Sequence, residues 1–441
     1  FQEQPVIAIA HRTSPTNIGL YLLSSLSARD FGYLTTGQLL ERTSYTIGTM
    51  QKMERFRGHF YNWYDTQSLN PLFPKYVSTV DSGNLVGHLL VFRQGLLEIP
   101  YQPIVNPKMI SGIEDTFRVL ADVLEDKAGD RLQALREELK AASNQDLNSP
   151  YDIKLCTESL TKTFDSISST QTSDPESESY WWIQKLKMQL THAVDELQIF
   201  KPWMLLKNAP AKFIRWGELD QNPTLSRLLN TARKLQAEVN RQDPVLNTSE
   251  ENEWLELFKT TLSESIDQAE ARIALAEQLA QQCNKLADVA WDFLYNHTSH
   301  LLTVGYNVQE HRKDESFYDL LASEVRLCVF IAIAQGKLPE ESWFALGRLL
   351  TNVDNKPVLL SWSGSMFEYL MPLLIMPTYE NTLLDQTTKA AVACQISYQN
   401  KYGKQIGQPW GISESGYNMI SVDSHYQYRA FGVPGLGLKR G

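Results

Sequence analysis

A chain of 441 residues, 43% hydrophobic and 10% aromatic, has ample material for a large core. Its formal net charge of -10, with no block of five or six lysines or arginines, argues against binding a phosphate backbone and leaves a neutral or polar ligand. The four cysteines (Cys156, Cys283, Cys328, Cys394) lie far apart with no C-x-x-C spacing. That favours a reduced compartment and speaks against structural zinc or a disulfide framework. The eight histidines are scattered and suggest no metal site. No apolar run approaches the roughly 18 to 20 residues needed to cross a bilayer. A chain opening at Phe1, with neither Met nor a signal-peptide pattern, reads as cut from a longer protein or processed.

Helical signals come first in chain order. Ser14 and Pro15 form an N-cap and first-turn pair, and Ile18, Leu22, Leu23 and Leu26 carry a helix to near Gly32. A second helix starts after Thr35 or Thr36, carries Leu39, Leu40, Ile47, Met50 and Met53, and ends before Gly58. Such antiparallel pairs are the repeating unit of all-α barrels. Residues 60–79 are irregular, contain Asn62-Trp63-Tyr64-Asp65, and are broken by Asn70-Pro71 and Pro74. Asp81-Ser82-Gly83-Asn84 then opens a helix through Leu85, Leu89 and Leu90. Residues from about 110 to 295 are more polar and read as a long helical excursion with a Ser/Thr-rich acidic break at 168–179, not as a separate catalytic unit. A short strand is expected at 301–307. Helices follow at about 317–335, 339–348, 366–376 and 383–401, and the Gly- and Pro-rich stretch from 402 to 441 reads mostly as loop. The expected class is all-α.

Three glutamates stand out. Glu414 lies in Pro-Trp-Gly-Ile-Ser-Glu-Ser-Gly-Tyr-Asn, between Trp410 and Tyr417 and flanked by glycines that allow close approach of a ligand. Aromatic faces bind the apolar faces of sugar rings, and a carboxylate beside them can act on a glycosidic bond. In a loop, though, a carboxylate usually just faces water. Glu324 falls in an apolar stripe, four residues from both Leu320 and Cys328. A carboxylate there is either paired, for example with arginine, or lines a pocket where desolvation raises its pKa and suits it to general-acid work. Glu368 is the only charge between Met366 and Met376, with Trp362 and Tyr369 nearby. It is either a buried carboxylate orienting loops or a sugar ligand or catalytic acid. Asp81 reads first as a helix cap, and Asn62-Trp63-Tyr64-Asp65 as a packed corner or a sugar contact. No G-x-S-x-G, Walker or G-x-G-x-x-G motif is present.

Longer stretches carry a resemblance. His11-Arg12-Thr13-Ser14-Pro15-Thr16-Asn17-Ile18-Gly19, Phe60-Tyr61-Asn62-Trp63-Tyr64-Asp65-Thr66 and Ser78-Thr79-Val80-Asp81-Ser82-Gly83-Asn84-Leu85 resemble the central domain of bacterial cyclic β-1,2-glucan synthases. So do Tyr318-Asp319-Leu320-Leu321-Ala322-Ser323-Glu324, Trp362-Ser363-Gly364-Ser365-Met366-Phe367-Glu368-Tyr369-Leu370-Met371-Pro372, and the tail from Pro409. Val325 stands where alanine is expected. The motifs span nearly the whole chain in one order; the polar part between about 110 and 295 adds little. The resemblance, to glycoside hydrolase family 189 and its endo-β-1,2-glucanase relatives, implies a single (α/α)6 toroid over residues 1–441 with the helical excursion inside it. It implies a retaining transglycosylase that closes linear β-1,2-glucan into rings without a cofactor. It also implies tethered glycosyltransferase and phosphorylase-like domains, and a cytoplasmic location as a soluble part of a larger inner-membrane protein. For roles, the resemblance and the stripe together point to Glu324 as acid/base and Glu414 as nucleophile, with Glu368 as the alternative to either. Asp81 orients substrate, and Asn62, Trp63, Tyr64, Asp65, Trp362, Tyr369, Trp410 and Tyr417 bind it. Two readings stay open beside this one: a β-1,2-glucan hydrolase using the same carboxylates, and a glucan-binding helical domain without catalysis.

Overall fold

The structure is a computed structural model, and it describes residues 9–124, 129–145, 149–168, 174–206, 209–213, 222–242, 247–353, 355–403, 409–420 and 426–438. It is mostly helical with a few small strands, an all-α protein in the broad sense. In chain order the helices are α1 (Pro15–Asp30), α2 (Thr36–Met50), α3 (Thr79–Glu98), α4 (Met109–Leu124), α5 (Gly129–Ser143), α6 (Pro150–Ser168) and α7 (Glu178–Glu196). Then follow α8 (Lys201–Leu206), α9 (Leu225–Val239), α10 (Ser249–Leu286), α11 (Val325–Ala334), α12 (Glu341–Ala345), α13 (Met366–Leu370) and α14 (Leu383–Tyr402). The chain divides into two compact units, one of Phe1–Leu22, Thr49–Val91 and Cys283–Gly441, the other of Leu23–Gly48 and Phe92–Gln282.

The first unit is built on the first half of α3 against α11. Gly83 and Gly87, one helical turn apart, make that approach possible. A Cβ on Gly83 would fall 2.4 Å from the Cβ of Cys328, and one on Gly87 would fall 2.5 Å from Cδ1 of Ile331. Around this pair run short antiparallel strands. Tyr76–Ser78 pairs with Gly305–Asn307, Leu301–Thr303 with Phe317–Tyr318, and Arg12–Thr13 with Tyr64–Asp65. The expected strand at 301–307 is therefore two, broken at Val304.

In the second unit α4 packs on α5 and α7, and α6 on the same two helices. Ile113, Phe117 and Leu120 of α4 and Ile183, Leu186 and Leu190 of α7 are buried there. Local chemistry sets the helix starts: the Ser177 hydroxyl accepts the amide of Tyr180, and that of Thr224 accepts the amide of Arg227. Buried Glu196 is matched by both terminal nitrogens of Arg272, at 2.9 and 3.1 Å.

Several expected helices are shorter. The one expected at 317–335 begins only at Val325, because Phe317–Tyr318 joins a strand ladder and the Leu321 amide bonds the carbonyl of Gly347. Tertiary pairing overrides the apolar periodicity there. The expected 339–348 helix contracts to α12, and 366–376 splits into α13 and a 3-10 turn at Met371–Leu374, where Pro372 has no amide hydrogen to continue the ladder. α2 stops at Met50, short of Met53. The stretch expected to be loop from 402 contains an antiparallel hairpin, Ser415–Ile420 with Tyr426–Arg429.

Candidate active site

A cavity of about 590 Å³ in the first unit gathers residues remote in sequence: Arg12, Thr16, Asn62, Trp63, Tyr76, Asp81, Tyr318, Glu324, Phe367 and Glu414 are among its walls. Glu324 enters it from the N-cap of α11, with no hydrogen bond to that helix's own amides. It is not in mid-helix, as the apolar stripe suggested. Its Oε2 accepts from Nδ2 of Asn84 at 2.9 Å. Asn84 Nδ2 also reaches Oγ1 of Thr16 at 3.1 Å, and Thr16 donates to Oδ1 of Asp81 at 2.6 Å. Asn84 and Asp81 stand three residues apart on α3, and so face the same way.

This chain of bonds has electrostatic consequences. Burial pushes Glu324 up to about 8, the neighbouring Asp81 carboxylate adds to the rise, and the Asn84 bond only partly opposes it. Charges at Glu414 and Glu368 act in the same upward direction. Glu324 is therefore protonated at neutral pH. Asp81 is also raised by burial, against the bonds from Thr16 and Ser78. It does not cap α3: that helix starts at Thr79, and the Ser78 hydroxyl accepts the Asp81 amide at 3.4 Å.

Glu414 is held differently. Its loop is pinned by Gln395, whose side chain accepts the Ile412 amide at 2.8 Å, and by the Met366 amide, which bonds the Ile412 carbonyl at 2.9 Å. Ser365 donates to Glu414 Oε1 at 2.6 Å and Ser413 to Oε2 at 2.8 Å. Burial raises its pKa, and both hydroxyl donors pull the other way. The carboxylate thus has two fixed donors that favour its ionised form.

Glu368 does not line the cavity. It is 5% exposed and completes a capping box with Ser365 at the start of α13. Its carboxylate accepts from Ser361 Oγ, the amides of Trp362 and Ser363, and Ser363 Oγ, all between 2.5 and 3.3 Å. What it does is fold the loop that carries Ser365 toward Glu414. Behind both loops lies Arg326, 2% exposed, whose guanidinium donates to the carbonyls of Ser323, Glu368 and Tyr369. Burial brings its pKa down to about 10, which leaves it charged at neutral pH.

Among the aromatic candidates, Trp63 lines the cavity beside Asn62, with the Arg12 guanidinium 4.5 Å above its ring. Their neighbours do not line it. Tyr64 is fully buried with its hydroxyl on the Glu54 carbonyl at 2.6 Å. Asp65 closes a turn, accepting from the amides of Gln67 and Ser68, which holds its pKa down. Tyr369 is buried and bonds the carbonyls of Leu359 and Leu436. Trp362 and Trp410 are not among the cavity residues. Tyr417 is in the hairpin strand, with its side chain outside what is described. Sequence reasoning singled out neither Thr16, Asn84, Tyr76 and Phe367 as site residues nor Ser365 and Ser413 as their supports. Only the three-residue step from Asp81 to Asn84 at a helix start offered a signal.

Comparisons with known proteins cover the segments that build this cavity. Residues 316–441 match the Glycoamylase family, described as "Putative glucoamylase", and that span includes both Glu324 and Glu414. The whole chain is 34% identical over 452 residues to the Cyclic beta-(1,2)-glucan synthase NdvB of Rhizobium meliloti (strain 1021). It spans about 14% of that protein's length. From end to end, this chain is a homologue of one segment of a cyclic β-1,2-glucan synthase.

Proposed function

We propose that the chain is the ring-closing catalytic domain of such a synthase, a retaining β-1,2-glucan transglycosylase. The observation that carries the reading is a protonated carboxyl, Glu324, and a hydroxyl-braced carboxylate, Glu414, on the walls of one cavity that Trp63 and Asn62 also line. In the first step Glu414 attacks the anomeric carbon while Glu324 gives its proton to the leaving glycosidic oxygen, directly or through a substrate hydroxyl. The carbon–oxygen bond of the chain breaks and a glycosyl ester to Glu414 forms. In the second step Glu324 takes the proton of the 2-hydroxyl at the non-reducing end of the same chain. That oxygen attacks the anomeric carbon and frees Glu414. Asp81, joined to Glu324 through Thr16 and Asn84, positions substrate. Glu368 orders the Ser365 loop and takes no part in bond making.

In this reading the two units form one catalytic domain of the (α/α)6 type, with the polar helical excursion inside it. It works on a chain delivered by glycosyltransferase and phosphorylase-like parts of a longer protein at the inner membrane, on its cytoplasmic side. Among the described residues no helix is long and apolar enough to cross a membrane. Hydrolysis is the second reading, favoured by the Glycoamylase match over the segment that holds both glutamates. Incubation with linear β-1,2-glucan and mass spectrometry separates the two, because a ring is one water lighter than the open chain of equal length. New reducing ends without rings would make the protein a hydrolase. No product, together with binding that survives Glu324→Gln and Glu414→Gln, would leave only a glucan-binding domain.

A further inference from the structure

The second unit has a groove of about 390 Å³ that shares no residue with the catalytic cavity. One side is the first turns of α7, with Trp181, Trp182 and Lys185; Tyr33, Arg42 and Asp115 also line it. Trp181 is 50% exposed and Tyr33 40%. The Trp181 and Trp182 rings stand 4.7 Å apart at 88°, so the pair forms a corner of one face and one edge. Lys185 holds Trp181 through a cation–π contact of 4.8 Å. Polar groups surround the corner. The Tyr33 hydroxyl donates to Asp115 at 3.0 Å, and Arg42 is exposed on the groove wall. Trp182 is oriented by its indole N–H, which donates to Glu178 Oε1 at 3.4 Å, and half of Trp181 stays open to the groove.

We infer that this groove is a second carbohydrate site, which holds a stretch of glucan chain. Sugars offer an apolar C–H face to a ring and a rim of hydroxyls to planar donors and acceptors, and this groove supplies both. Its charges are of both signs, with Arg42 and Lys185 beside Asp115, which also pairs with Arg118 at 3.7 Å, so the rim offers donors and an acceptor to the hydroxyls of a sugar. The identity of the polymer as β-1,2-glucan rests on the proposed function; the site as a glucan platform does not.

The test is affinity electrophoresis of the whole chain through gels containing linear β-1,2-glucan, a β-1,3-glucan or dextran. The parent is compared with Trp181→Ala/Trp182→Ala and Arg42→Ala, each also in a Glu324→Gln background that prevents turnover. Loss of either feature is expected to weaken retention in at least one glucan gel by about tenfold. In turnover assays it should raise KM for long β-1,2-glucan while leaving kcat and short oligosaccharides unchanged. Arg42 is exposed, so its variant reports even if the tryptophan pair proves necessary for folding. Retention lost only in another glucan would preserve the site and overturn the β-1,2 assignment. Unchanged retention in all three gels, or variants that change only self-association in sedimentation, would overturn the carbohydrate site.

Discussion

Replacing Ser365 with alanine removes the shorter of the two hydrogen bonds to Glu414, 2.6 Å against 2.8 Å from Ser413. A bond to a charged acceptor contributes about 1.5 to 3 kcal/mol, and Glu414 is only partly buried, so the lower end applies. The Glu414 pKa, already raised by burial, should therefore rise further. The direction follows from what the donor does: it stabilises the ionised form, so its loss favours the proton. On the proposed mechanism Glu414 sets the acid limb of kcat/KM, which then moves to higher pH. Glu324, near 8, sets the alkaline limb on the same mechanism, and that limb stays in place. The bell narrows from one side. The same hydroxyl caps α13 through the Glu368 amide at 3.3 Å, so the variant should also lose about 1 kcal/mol of stability. Ser365→Thr keeps the donor and should keep the acid limb. The assay is product release from linear β-1,2-glucan across both limbs, with thermal unfolding to confirm the fold. A folded Ser365→Ala enzyme whose acid limb stays put would refute the reasoning, since either Ser365 does not tune Glu414 or Glu414 is not the group that titrates.

Glu324→Gln should lower kcat by about 10² to 10⁴ and abolish the alkaline limb, read from the same profiles; activity within tenfold of the parent would remove Glu324 from the chemistry. Because its folded pKa is raised from 4.5 to about 8, Glu324 contributes stability that is complete below the lower value and is lost as pH climbs through the upper one. Denaturant titrations should therefore show Glu324→Gln gaining on the parent at alkaline pH. Glu368→Gln sets an amide NH₂ against the donors that converge on this carboxylate, and should destabilise by about 3 kcal/mol or more, with activity falling as the Ser365 loop loosens; calorimetry that finds an unchanged Tm would contradict the hub role. Gly83→Ala forces a Cβ to within 2.4 Å of Cys328 and should cost about 1 to 3 kcal/mol, measured by the same unfolding.

What could be read from the sequence was mostly local. Ser14-Pro15 and the stop near Gly32 bracket α1 closely, and α14 coincides with its apolar pattern, because caps and periodicity are written within a few residues. Glu324 reaches the cavity from a helix start and not from the mid-helix position that its apolar spacing suggests. A carboxylate among apolar residues demands an explanation wherever the helix starts, but the four-residue step from Leu320 was accidental, since Leu320 forms a bridge to Gly347. The Ser365-Met366-Phe367-Glu368 capping box has the S-x-x-E spacing and was readable. The sequence left two roles open for Glu368, a buried carboxylate orienting loops or a sugar ligand or catalytic acid, and the capping box matches the first. Thr16, Asn84 and the hairpin after Glu414 gave little sign, because what defines them is contact between segments up to hundreds of residues apart.

Arg326 gives the two cavity carboxyls, Glu324 and Glu414, a common keel. One guanidinium grips the residue before Glu324 and the helix whose first hydroxyl steers Glu414, so a displacement of either loop is transmitted to its counterpart. Lysine has no planar fork with which to hold three carbonyls at once. The spacing of Glu324 and Glu414 is thus braced from behind, by a cation outside the cavity wall, and evolution could retune that spacing by altering the strut while the wall keeps its composition.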